Sequence, residues 1–274
     1  ITIARRLILS FDSFVSMGNG NFHMKTNANE TGEILIKKAI LPGVTLTIEG
    51  KWNLSGEVDL DELNIAGGSL IANDTKLSLK RLNASGVPSK ELKLNGAQLS
   101  ISESSELNAN NLTLQSDSTT LIQTDNTSLN WSGIDFKGHL VLESGTTKIT
   151  GASHFSKVTL KGNSEWNGVN VIEELDTKPG IQLLLGDGAE LSLNSKARLT
   201  GALNESISIT SNSNAVVSFS DHYKYCYDFL KVTNVDVKSG TVNAGLNSTI
   251  TSSDNWQQKK CEDGLFADFK INYA

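Results

Sequence analysis

Residue types suited to chemistry are few in this chain and widely spaced. Its 274 residues include four histidines, His23, His139, His154 and His222, and none stands at ligand or catalytic spacing from another. No His-x-x-x-His pair, Gly-x-Ser-x-Gly elbow, phosphate-binding loop or dinucleotide fingerprint is present. The two cysteines, Cys226 and Cys261, form no Cys-x-x-Cys unit, and only His222 lies near them, so a zinc site has no ligand set. They are either one disulfide formed in an oxidising compartment or two separate buried thiols. The polar, loop-rich sequence around both favours the disulfide.

Two further groups invite a chemical reading. Glu57, Asp59, Asp61 and Glu62 form an acidic run, and alternation puts Glu57, Asp59 and Asp61 on one face of an extended strand. That is a calcium site or a charged strand edge that resists edge-to-edge pairing. No Gly-Asp-rich calcium loop accompanies the run, so the charged edge is preferred and neither metal nor cofactor is expected. The four tryptophans are Trp52, Trp131, Trp166 and Trp256. Trp131 and Trp166 lie in turn-like settings, Asn130-Trp131-Ser132-Gly133 and Glu165-Trp166-Asn167-Gly168. They are either stacking platforms for sugar rings or aromatic packing over the core.

The elements that must position these residues are short strands. Val44–Ile48, Leu77–Leu79, Leu92–Leu94, Leu99–Ile101, Leu112–Leu114, Leu140–Leu142, Val158–Leu160, Leu191–Leu193 and Ile207–Ile209 alternate apolar and polar residues between Gly, Asn, Asp and Ser. Period two is the signature of a half-buried strand, and no window sustains a helical apolar stripe. The runs recur: Leu92-Lys93-Leu94 is echoed at Leu112-Thr113-Leu114, and Leu140-Val141-Leu142 at Val158-Thr159-Leu160. Leu63-Asn64-Ile65 is another copy. A repeat of about 20 residues, with two or three strands per unit, predicts an all-β, right-handed parallel β-helix. A β-sandwich also has many short strands, but two-residue hairpin turns are sparse here.

Residues 1–210 are therefore expected to form roughly ten coils, a rod about 50 Å long at strand spacing. Residues 211–274 are expected to form the terminal coils and a cap. Thr177-Lys178-Pro179-Gly180 reads as a turn inside the array. Asn-x-Ser/Thr triplets begin at Asn29, Asn53, Asn73, Asn83, Asn111, Asn126, Asn130, Asn204 and Asn247, and turn chemistry explains them better than glycosylation.

Composition narrows the setting. A net charge of -6 argues against a nucleic-acid surface, and no apolar run reaches the roughly 20 residues of a membrane span. Ile1–Leu9 lacks the form of a signal peptide and begins within a strand pattern, so a piece of a longer exported protein is expected.

The C-terminal stretch carries a resemblance. Ala215–Ser220 leads into Cys226-Tyr227-Asp228-Phe229-Leu230. Ala244-Gly245-Leu246-Asn247-Ser248, Asp254-Asn255-Trp256 and Cys261-Glu262-Asp263-Gly264-Leu265-Phe266-Ala267-Asp268-Phe269 follow. This order resembles the final β-helix coils of large secreted Bacteroidetes surface proteins, in which PKD or other Ig-like modules and a type IX secretion sorting domain come next. The rest is similar to β-helix passengers of adhesins.

The resemblance implies an extracellular, non-catalytic adhesin or stalk segment. Its partners would be surface or environmental glycans or host polymers, and secretion machinery during export. It also implies that Ser118, in Asp117-Ser118-Thr119, matches a short O-glycosylation motif of that phylum, although an ordinary polar turn fits as well. A last coil rich in aromatics (Phe219, Tyr223, Tyr225, Tyr227, Phe229) and fastened by Cys226 and Cys261 would close the open end of the solenoid. The alternative function is a polysaccharide lyase or hydrolase. Such an enzyme gathers acids and bases from successive coils, out of reach of linear motifs.

Overall fold

The computed structural model describes residues 2–3, 5–9, 20–27, 29–124, 126–199, 201–220 and 225–261. Among these residues there is no helix, and parallel strands stack into a β-solenoid of about 11 turns. Through most of its length each coil contributes three strands. One coil runs through Gln98–Ile101, Ser104–Asn108 and Leu112–Gln115. A later one runs through Lys157–Leu160, Asn163–Asn167 and Val169–Ile172.

Alternation decides which side chains enter the core. On one face the inward column reads Val58, Leu77, Leu99, Leu121, Leu140, Val158, Leu175 and Ala197, each in register with the next. A second column reads Phe136, Phe155, Ile172, Leu193 and Phe219. These side chains are all buried. A single coil could not hide them, so the coils stabilise one another by stacking.

The repeat is legible but elastic. Leu140 pairs with Val158, as the sequence spacing requires. Leu92 pairs with Leu114, not Leu112. A slip of two residues keeps the same side chains inward, so apolar alternation cannot detect it. Coil length varies because turns absorb extra residues: Thr146 stands opposite Asn163, whereas Leu183 stands opposite Ile209.

Asparagine extends the ladder into the turns. Asn73 Oδ1 accepts the Asn95 N–H at 3.0 Å, and Asn95 Oδ1 accepts that of Asp117 at 3.0 Å. Asn126 and Asn163 do the same for Thr146 and Gln182, at 2.9 and 2.8 Å. Backbone donors left over where strands end are thereby satisfied. Glycine is required where coils approach most closely. Gly151 has φ +117°, and a Cβ there would lie 1.8 Å from the Trp131 carbonyl oxygen.

The expected boundary at 210/211 falls within the strand Ile207–Phe219, and its ladder continues through Leu230–Ser239 to Thr249–Thr251. The discontinuity lies elsewhere. The strand Glu190–Arg198 continues into the next coil only through Glu190–Leu193, which pair with Val216–Phe219. Lys196–Arg198 pair only with the coil before, and a separate sheet of Tyr225–Tyr227, Val242–Ala244 and Gln257–Gln258 begins there. The hydroxyls of Tyr225 and Tyr227 donate to the carbonyls of Ser195 and Ala197 at 2.7 and 2.8 Å. Phe219 packs on both rings, at 5.1 and 6.1 Å. Cys226 and Cys261 are bonded, with their Cα atoms 5.7 Å apart. Tyr223, His222 and Glu262–Phe269 lie outside the described residues.

Candidate functional site

Trp131 and Trp166 are not sugar platforms. Both are 1% exposed, like Trp52. The Trp131 ring stacks on Phe155 at 5.7 Å, and Phe155 meets Trp166 edge-on at 5.6 Å. Their indole N–H groups donate inward, to Ser105 Oγ and Ser164 Oγ, each at 3.0 Å. Alternation points both rings into the core, where a large aromatic side chain gains most from burial. The turn-like flanking residues concealed this.

The tryptophan that retains exposed surface is Trp256. It is half-buried, T-shaped against Phe219 at 6.0 Å, and donates its N–H to the Val235 carbonyl at 2.8 Å. It lines a cleft of ≈ 520 Å³ together with Lys238, Ser239, Gly240, Thr241 and Gln257. Gly240 has φ +84°, and a Cβ there would lie 2.4 Å from the Phe219 carbonyl oxygen, so the cleft wall is sterically fixed. Lys238 Nζ binds both carboxylate oxygens of Glu190, at 2.7 and 2.8 Å. Ser239, Thr241 and Gln257 make no side-chain hydrogen bond among the described residues.

The acidic run is answered by cations on neighbouring coils. Lys80 Nζ reaches Asp61 at 2.9 Å, Arg81 bridges Glu62 at 3.3 Å and Glu103 at 2.7 Å, and Lys38 lies 3.9 Å from Glu57. Asp61 is consequently held below the ordinary carboxylate range, first by its hydrogen bond from Lys80. Asp59 is pushed up by burial and by the charge of Asp61. The run is a charge-matched outer edge.

Sequence inspection missed a second group. His154 Nδ1 lies 2.9 Å from Asp135 Oδ1 and its Nε2 lies 2.8 Å from Glu173 Oε1, each partner 19 residues away. Asn194 Nδ2 donates to Glu173 at 3.1 Å, and Lys137 pairs with Asp135 at 2.7 Å. Four coils thus contribute one column of polar groups along a corner of the rod. Burial opposes ionisation of Asp135, but hydrogen bonds from Lys137 and His154 outweigh it and hold the carboxyl below its usual range. The equal spacing was the available signal, because it matches the local coil length.

Ser118 sits on an exposed turn with φ +56°, beside buried Thr119, whose hydroxyl donates to the Leu94 carbonyl at 2.6 Å. Its own hydroxyl is open to solvent. The remaining histidines that are described serve the surface: His23 binds Glu49 at 3.0 Å and His139 binds Thr159 at 2.8 Å.

Compared with protein families, curated proteins and solved structures, the chain matches none.

Proposed function

We propose that the chain is a non-catalytic extracellular adhesin or stalk segment of a larger exported cell-surface protein. The observation that carries this reading is an outward column that stays in register across the rod. It runs through Glu62, Arg81, Ser104, Ser128, Lys148, Glu165, Leu184, Thr210, Thr233 and Thr251. At ~4.8 Å per coil these positions extend about 43 Å. Glu62 is paired with Arg81 and Glu165 with Lys148, so hydroxyls and paired charges make up most of the surface. Such a face suits contact with an extended polymer. Its partners are surface or environmental glycans or host polymers. The disulfide accords with an oxidising compartment. Export by the type IX route, and O-glycosylation at Ser118, rest on the resemblance of the C-terminal stretch.

A glycan array with the purified chain tests the reading. Saturable binding to at least one polymer is expected, and silence across neutral and acidic polysaccharides would count against it.

A second reading, a polysaccharide-active enzyme, draws on the Asp135–His154–Glu173 column, which assembles two carboxylates and an imidazole from successive coils. Those carboxylates already accept hydrogen bonds from their neighbours, and this favours a structural role for them.

A further inference from the structure

We infer that the cleft beside Trp256 is a binding site for a neutral saccharide. The inference rests on the adhesive reading and gives it a specific contact point. Its volume of ≈ 520 Å³ falls within the range of small-ligand sites, about 300–1,000 Å³, and would hold a short stretch of sugar units. One wall is an indole whose N–H is already used by the Val235 carbonyl, leaving the hydrocarbon of the ring as its contribution to a ligand. The pale, apolar faces of a pyranose pack on such a ring, while sugar hydroxyls need donors and acceptors close by.

The cleft supplies those groups. Ser239, Thr241 and Gln257 are exposed, and their side chains make no hydrogen bond within the described protein. Lys238, the cation that lines the cleft, is held by both oxygens of Glu190 and is therefore not free to select an anion. The framework is also set before any ligand arrives. Gly240 admits no side chain, Asn255 Nδ2 is bonded to the Val237 carbonyl at 3.0 Å, and the Cys226–Cys261 bond ties the adjoining sheet. Prior ordering lowers the entropic cost of binding.

The test uses the full chain with cellohexaose, xylohexaose, mannohexaose and chitohexaose as neutral probes and hexagalacturonate as the acidic one. Titration calorimetry is combined with acrylamide quenching of tryptophan fluorescence. Because Trp52, Trp131 and Trp166 are buried, a change in quenching reports chiefly on Trp256. At least one neutral hexaose is expected to bind and to shield the indole. Thr241→Val with Gln257→Ala, which alters only exposed side chains, should weaken binding by about tenfold. Trp256→Ala should abolish it.

Binding that persists undiminished in both the double variant and Trp256→Ala overturns the site while leaving the adhesive reading standing. Preference for hexagalacturonate that depends on Lys238 overturns the neutral assignment. Absence of binding by every hexaose overturns the site, and the adhesive reading falls with it only if the intact chain also captures no polysaccharide. Thermal melts of each variant separate loss of the cleft from loss of the cap, and the double variant decides the matter if Trp256→Ala does not fold.

Discussion

The hydroxyl of Tyr227 donates to the carbonyl oxygen of Ala197 at 2.8 Å, across an interruption in the strand ladder of that face. Ala197 ends an inward column that begins at Val58, and a side chain there takes over a backbone acceptor that the next strand leaves unused. Burial raises the Tyr227 phenol well above its ordinary value, with the neighbouring Tyr225 adding to it, so the proton needed for this bond stays in place. Replacing Tyr227 with Phe keeps the ring but orphans the carbonyl. A loss of about 1–2 kcal/mol in urea denaturation is expected, whereas Tyr227→Phe indistinguishable from the parent would mean that the hydroxyl contributes nothing.

Gly151 tests the close stacking of coils. Its positive φ and its approach to the Trp131 carbonyl both exclude a side chain. Gly151→Ala should cost more than about 2 kcal/mol, read from the denaturation midpoint, while Gly188→Ala, where a Cβ meets nothing, should cost about 1 kcal/mol.

The two classes of tryptophan should separate cleanly. Trp131→Ala removes a buried ring stacked on Phe155 and should destabilise the rod by about 3–5 kcal/mol. Trp256→Ala removes a half-buried ring in the last described coil and should cost less, with hydrogen exchange changing only around residues 235–258. Uniform loosening along all coils after Trp256→Ala would contradict that division.

Reduction of Cys226–Cys261 should act on the terminal sheet. The bond closes a segment of 35 residues, for which chain entropy gives about 3–4 kcal/mol. Faster amide exchange at Tyr225–Ala244 in dithiothreitol, with the coils before residue 200 unaffected, is the expected outcome.

Acid should weaken the rod in two steps. Burial, followed by the charge of Lys157, depresses the His139 imidazole, so the stability tied to its neutral form is complete above about 6.5 and declines as pH falls through that value. Asp135 is depressed by the hydrogen bonds that outweigh its burial, and Glu165 by those from Lys148 and Asn167. Their contribution is present above about 4 and is lost as pH falls through their lowered values. His139→Gln should flatten the first step of a stability–pH curve and Asp135→Asn should reduce the second. Asp59, raised by burial and Asp61, works in the opposite sense, so Asp59→Asn should stabilise the chain at neutral pH.

Much of the fold was legible because alternation has a period of two and is written into every coil. Leu140 and Val158 could be paired by eye, but Leu92 and Leu114 could not, since a two-residue slip preserves the pattern. The site was harder to read. Trp131 looked turn-bound but is core, and Trp256, on the last of the described coils, is the accessible ring. Asp135, His154 and Glu173 are remote in sequence and become neighbours only once coil length is known. Local propensity carries the strands, whereas the juxtaposition of outward side chains depends on how many residues each turn absorbs.

The most direct measurement incubates the purified chain with a panel of neutral and acidic polysaccharides and follows, in the same samples, the bound fraction and the appearance of new chain ends. An adhesive rod binds at least one polymer saturably and leaves it intact over hours. New reducing or unsaturated ends that accumulate with time and disappear in Asp135→Asn would contradict the non-catalytic reading, and no binding to any polymer would contradict the adhesive one.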